Sequence, residues 1–458
     1  MSEKINFLSW FSRRLLKSIP IVLFVVLFFM VVLWIRMSSN SGEGPLSLPD
    51  KNMSYTKRQA IHHSKTTQIS PFKKSPEKMT VLQTHPMRHL SSPSLTPQTR
   101  INSFKPCHSI HTFYYPWYGN PKFDKDYIHW NHQLLPHWNA RIAKNYPSGV
   151  HKPPDDIGSD FFPELGAYSS RDPAVIMGHM EQLVSANIGV IIVSYYPPTQ
   201  GDDNGKDWQD IFPMLLNTAA KFNVKVGFHI EPYKDRNQYT VKKDLQYIID
   251  TYSGYPAFFS YTLKGKTLPM IYIYDSYHTK PEEWSKVFSK HGPDTVRGTK
   301  YDAFVIGLCV KRSDGSDLLH GGFDGFYTYF AANGFTYGSS RHNWDELNRF
   351  AVENNLIFIP SVGPGYVDTR IRPWNGENTR NRLKGTYYKD SWREALSLKP
   401  NIISITSFNE WHEGTQIEKA IPHFFGSYNY KNYNPHQPDY YLFLTKQLSK
   451  QFEQCSMN

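Results

Sequence analysis

From residue 108 onward, short apolar runs alternate with stretches whose apolar residues recur at helical spacing. The runs lie at 110–115, 190–195, 224–230, 270–274, 303–309, 325–330, 356–361 and 402–407. They are short, rich in β-branched and aromatic residues, and read as buried strands. Helical spacing marks 173–186, 208–222, 241–252, 344–354, 390–398 and 440–452. Eight strands, each followed by a helix, predict a parallel α/β repeat. Its length suits a (β/α)8 TIM-type barrel with insertions. A doubly wound open sheet is the alternative, and it is disfavoured because no Gly-x-Gly-x-x-Gly follows the first run.

The first 106 residues follow a different pattern. Residues 19–35 carry no charge and are long enough at helical rise for a thin membrane. Lys4, Arg13, Arg14 and Lys17 precede them, and Arg36 follows. The positive-inside rule then makes residues 1–18 a cytoplasmic tail and 19–35 a type II signal anchor. A cleaved signal peptide fits less well, because the run is long and Trp34-Ile35-Arg36-Met37 lacks small residues for cleavage. Residues 36–106, rich in Ser, Pro, Thr and Lys, read as a luminal stem with a sequon at Asn52. The catalytic domain is expected over 107–458. The net charge of +11 resides wholly in residues 1–106, leaving the expected domain neutral. That argues against nucleic acid as a partner. Of three cysteines, Cys309 sits in an apolar run, whereas Cys107 and Cys455 flank the domain and can pair if its ends meet.

A barrel places its chemistry where strands end. Those ends read Tyr114-Tyr115-Pro-Trp117-Tyr118, Tyr195-Tyr196, His229-Ile-Glu231, Asp275-Ser-Tyr277, Tyr327-Thr-Tyr329, Pro360 to Tyr366, and Asn409-Glu410-Trp411-His412-Glu413. Repeated aromatics beside a few polar groups suit the stacking and hydrogen bonding of a sugar. Glu410 and Glu413 supply the two carboxylates that glycosidic cleavage needs. Tyr115, Trp117, Tyr196, His229, Glu231, Tyr329, Asn409, Trp411 and His412 are expected to line the substrate. Arg372 is expected to hold one glutamate charged. Competing readings are a soluble loop around the glutamates, a metal-dependent glycosyltransferase using Asp124-Lys125-Asp126, and a glycan-binding protein without turnover. His129 and His132 lack a third ligand at metal-binding spacing, and Gly-x-Ser-x-Gly is absent.

The chain resembles glycoside hydrolase family 99 over about residues 108–440. The resemblance rests on Phe113-Tyr-Tyr-Pro-Trp-Tyr-Gly-Asn-Pro121, Pro153-Pro-Asp-Asp-Ile-Gly158, Phe228-His-Ile-Glu-Pro-Tyr233, Thr328-Tyr-Phe330 with Gly334-Phe-Thr-Tyr-Gly338, Ser361-Val-Gly-Pro-Gly365 and Ser407-Phe-Asn-Glu-Trp-His-Glu-Gly-Thr-Gln416. It implies a retaining, endo-acting Golgi enzyme without metal or cofactor. Such an enzyme cuts an internal α-1,2-mannosidic bond of glucosylated high-mannose N-glycans on glycoproteins and releases glucosyl-mannose. It further implies Glu410 as base toward the substrate 2-OH, Glu413 as acid/base at the leaving oxygen, and Tyr196 in the subsite beyond the cleavage point. The intermediate would be an anhydro-sugar, although the residues alone fit double displacement equally.

Overall fold

The computed structural model describes residues 105–456 apart from Thr199. The expected tail, anchor, most of the stem and Asn52 lie outside the described residues. Among the described residues no helix is long and apolar enough to cross a membrane.

The barrel strands are β1 (Cys107–Tyr114), β2 (Ile188–Tyr195), β3 (Lys225–Ile230), β4 (Lys266–Ile273), β5 (Phe304–Leu308), β6 (Gly325–Tyr327), β7 and β8 (Ile403–Ile405). Strand β7 runs in two pieces, Ile357–Ile359 and Ser361–Val362. Pro360 between them has no N–H to offer a ladder. The first piece pairs with β6 and the second with β8. The two ends of the sheet therefore meet at Pro360, giving a nearly closed, TIM-like parallel barrel.

The helices that follow the barrel strands are α1 (Pro173–Ser185), α2 (Ile211–Lys221), α3 (Gln238–Tyr252), α4 (Pro281–Phe288), α5 (Asp314–Gly321), α6 (Trp344–Glu353), α7 (Thr386–Ser397) and α8 (Tyr440–Ser449). One follows each strand. Helices α4 and α5 are the expected helices after β4 and β5, for which the sequence marked no residue range. Their starts are set locally: Asp172 caps α1 ahead of Pro173, and Asn237 with Thr240 forms a capping box on α3.

Every residue of β2 is buried, as expected for a strand covered on both faces. Its contact with β1 needs Gly189, where a Cβ would lie 2.4 Å from the Cys107 carbonyl oxygen. Strand β4 begins earlier than expected because it also forms a hairpin with Ser260–Leu263. Lys264 and Gly265, both at positive φ, make the two-residue turn. Cys107 and Cys455 form a disulfide across 348 residues, joining β1 to the chain's last turn. Cys309 is a buried free thiol, as its apolar setting implied.

Candidate active site

The parallel register Thr112↔Ile405 brings the ends of β1 and β8 side by side. Beyond β8 the chain closes a compact loop on itself. Ser407 N donates to Thr415 O at 3.0 Å, and Ile417 N donates to Ser407 O at 3.0 Å. Within it, Glu410 N donates to Ser407 Oγ at 2.8 Å and His412 N to Glu410 Oε1 at 3.0 Å. Gly414, at φ +59°, turns the backbone against Val367, whose N–H donates to Glu413 O at 2.8 Å. A side chain there would strike the Val367 carbonyl at 2.6 Å. Glu410 is thus held through its N–H and its carboxylate, and Glu413 through its backbone carbonyl, so the segment is a fixed loop at the barrel mouth and not a merely soluble one.

Their electrostatics set them apart from surface carboxylates. Burial raises the Glu410 pKa well above the ordinary carboxylate range, and the nearby Glu413 charge adds to the rise. Burial also pushes Glu413 up to about 7; Arg372 opposes this, while Asp368 and Glu231 reinforce it. Arg372 therefore acts on both glutamates. It is oriented by Asp368, which accepts from Arg372 Nη1 at 3.0 Å, from Asn375 Nδ2 and from the Tyr366 hydroxyl.

The aromatic strand ends form the walls. The Tyr115 and Tyr329 hydroxyls bond each other. Burial first, then the charges of Glu231 and Glu410, holds the Tyr115 hydroxyl protonated. Trp117 stacks on His129 with ring centres 4.7 Å apart. His229 is wedged between Glu231 Oε1 at 3.1 Å and the Tyr327 hydroxyl at 2.6 Å. Tyr196 shares a small cleft with Trp117, Ser194, Trp208 and Gln209. Glu231 lies within charge range of Tyr115, Tyr196 and both glutamates, which places it centrally.

Two expected substrate contacts prove to be braces. Asn409 is fully buried, and its side-chain amide pairs twice with the Tyr115 backbone, at 2.8 and 2.9 Å. Trp411 is also fully buried and donates Nε1 to Glu418 at 3.1 Å. Both are spent on tying the glutamate loop to β1 and to the interior. His412 is different. Its Nδ1 bonds the Gly158 carbonyl at 2.7 Å, burial keeps the ring neutral, and Nε2 has no partner among the described residues. The Trp117 indole N–H is likewise buried without a partner.

Sequence reasoning missed Asp368, Asp202 and the role of His129. Asp202 Oδ2 accepts from His129 Nε2 at 2.8 Å and from Trp208 Nε1 at 2.7 Å, pinning the loop after β2 to the loop after β1. His129 and Asp202 lie 73 residues apart, so no local pattern announces that pair; Asp368 bonds residues two to seven positions away, yet nothing in their sequence says that the cluster faces the glutamates. The Asp124-Lys125-Asp126 stretch is not available as a ligand pair. Asp124 is buried against Arg171 Nη1 at 2.6 Å, and Asp126 accepts from Tyr127 N.

One buried and one half-buried carboxylate at the mouth of an aromatic-lined barrel define a glycoside hydrolase site. The profile of Glycosyl hydrolase family 99 matches residues 107–454, and the chain belongs to that family. It is 55% identical over 349 residues to the glycoprotein endo-α-1,2-mannosidase of Rattus norvegicus, covering 76% of each chain. It is 52% identical over 353 residues to the glycoprotein endo-α-1,2-mannosidase-like protein of Homo sapiens, covering 77% of each. The GH99 endo-α-mannosidase of Bacteroides thetaiotaomicron superposes with a TM-score of 0.70 at 44% identity, covering 76% of this chain and 99% of that one.

Proposed function

We propose that this chain is a retaining, endo-acting α-1,2-mannosidase that releases glucosyl-mannose from glucosylated high-mannose N-glycans. The observation that carries the reading is the pair Glu410 and Glu413, both raised in pKa, within an aromatic-walled mouth. A carboxylic acid still protonated near neutral pH can protonate a leaving oxygen. The relatives named as glycoprotein endo-α-1,2-mannosidases support the bond and the glycan. The unpartnered Trp117 N–H and His412 Nε2 supply one donor and one acceptor for sugar hydroxyls.

In the first step Glu410 takes the proton of the mannose 2-OH, and O2 attacks C1. The C1–O bond to the leaving sugar breaks as Glu413 gives that oxygen its proton. In the second step Glu413 takes a proton from water, which attacks C1 of the anhydro-sugar, and Glu410 returns its proton to O2. Two displacements at C1 retain configuration. Tyr196 and Glu231 would bind the sugar on the far side of the cut.

The proposed setting is the Golgi lumen, with residues 19–35 as the anchor and 36–106 as the stem. The Cys107–Cys455 disulfide supports a compartment of the secretory route, where such bonds persist. The test uses residues 107–458 and a glucosylated high-mannose glycan. Wild type should release a glucosyl-mannose disaccharide in the presence of chelator. Glu410→Gln and Glu413→Gln should each lower kcat by about a hundred-fold or more. Wild type that binds the glycan without cleaving it would leave a glycan-binding protein instead.

A further inference from the structure

We infer that His137, Trp138 and Trp374 form an outer subsite that stacks on mannose residues of the glycan beyond the leaving sugar. The inference rests on the proposed endo-mannosidase reading and extends it to the retained part of the substrate.

Residues 133–150 make an excursion from the mouth. Its neck is closed by the Gln133↔Val150 bridge and by Leu134 N donating to Gly149 O at 2.8 Å. The neck lies beside the site: the His132 ring is 4.7 Å from that of His412. The excursion is also bolted to the loop after β7. Leu135 N donates to Ile371 O at 2.7 Å, and Trp374 Nε1 donates to Leu135 O at 2.9 Å. Those two residues flank Arg372, which acts on both glutamates.

On this base stands an aromatic plate. His137 stacks on Trp138 with ring centres 3.6 Å apart. Trp374 meets their edges at 5.1 and 5.2 Å. The neighbours fix the plate, yet Trp138 keeps 41% of its surface exposed. A tryptophan already held in place loses little freedom on binding, and its face suits the C–H face of a pyranose.

The direction of the glycan selects the occupant. The proton donor must stand on the leaving-group side. Glu413 is held by Val367, and Arg372 and Asp368 act on its carboxyl, so that side is the loop after β7. Tyr196 and Glu231, at the ends of β2 and β3, occupy the other side. In the sheet, β8 and β1 separate β7 from β2. Sugars beyond the leaving oxygen therefore run over the loop that carries Arg372 and Trp374, toward Trp138.

The experiment compares three substrates: the intact glucosylated high-mannose glycan, the same glycan on a glycoprotein, and a glucosyl-mannosyl-mannose trisaccharide that ends at the leaving sugar. Trp138→Ala should lower kcat/KM on the intact glycan by about five- to ten-fold and leave the trisaccharide unchanged. Trp138→Phe should keep most of the activity. Equal losses on the intact glycan and the trisaccharide, or no loss on either, would overturn the subsite. Activity unchanged on the free glycan but reduced on the glycoprotein would also overturn it, and would assign the plate to polypeptide. Calorimetry of the intact glycan in the Glu413→Gln background, with and without Trp138→Ala, separates the two readings. Weaker binding on losing Trp138 supports the subsite even if wild type cleaves nothing, whereas equal affinity overturns it.

Discussion

Glu413 shows how burial converts an ordinary side chain into a reagent. Its free acid titrates near 4.5, and burial moves it to about 7. As the proposed acid it must carry its proton, so kcat should fall as pH rises through about 7. A stopped assay between pH 5 and 8.5 reads this directly; a flat alkaline limb would exclude Glu413 as the donor. The same shift has a consequence for stability. Between 4.5 and about 7 the folded protein binds a proton that the unfolded chain releases, so this group's contribution falls as pH rises. Glu413→Gln removes the penalty. Its melting temperature should match wild type at pH 4.5 and exceed it by about 2 °C or more at pH 7.5. The glutamates were legible in the sequence because they follow an apolar run directly, at a strand end. That Asn409 and Trp411 turn inward was not legible in the same way. Closeness in sequence said nothing about which side chains the loop turns inward, and full burial of both is a matter of packing.

At the scale of elements, the loops after β7 and β8 act as one piece. Arg382 Nη2 donates to Gly414 O at 2.9 Å and Gln416 O at 2.7 Å, just beyond Glu413. Its guanidinium lies 4.5 Å from the ring centre of Phe161, 5.0 Å from Tyr433 and 4.5 Å from Tyr441. An ammonium cannot reproduce that flat, forked fit. Arg382→Lys and Arg382→Met should therefore both lower kcat by about ten-fold or more, while KM stays within about two-fold. Kinetics on the trisaccharide checks this, and a lysine variant with wild-type kcat would show that the clamp does not position Glu413. None of this is visible in the sequence, since Arg382 sits in a polar stretch and its partners come from three distant segments. The strands fared better. Their apolar runs mark buried β-structure whatever the context, whereas α4 and α5, of eight residues each, are too short for a clear period.

For the whole molecule, the Cys107–Cys455 bond bears on stability and on the proposed luminal setting. It closes a loop of 348 residues and ties β1 to the C-terminal turn. Cys455→Ser should lower stability by about 2–5 kcal/mol, read by denaturant unfolding with and without reductant. Reductant should destabilise wild type and leave the variant unchanged. The bond suits the proposed luminal setting, where disulfides form and persist. Full-length chain translated with microsomes should then bury residues 107–458 behind the membrane. Protease added outside should remove only about the first 18 residues, and Asn52 should gain a glycan removable by glycosidase. A barrel digested without detergent would reverse the orientation. A luminal barrel released from the membrane by carbonate, with residues 19–35 missing, would make that run a cleaved signal instead of an anchor. Protease reports which side of the membrane the barrel occupies and carbonate whether it stays attached, so both experiments need to be run on one preparation.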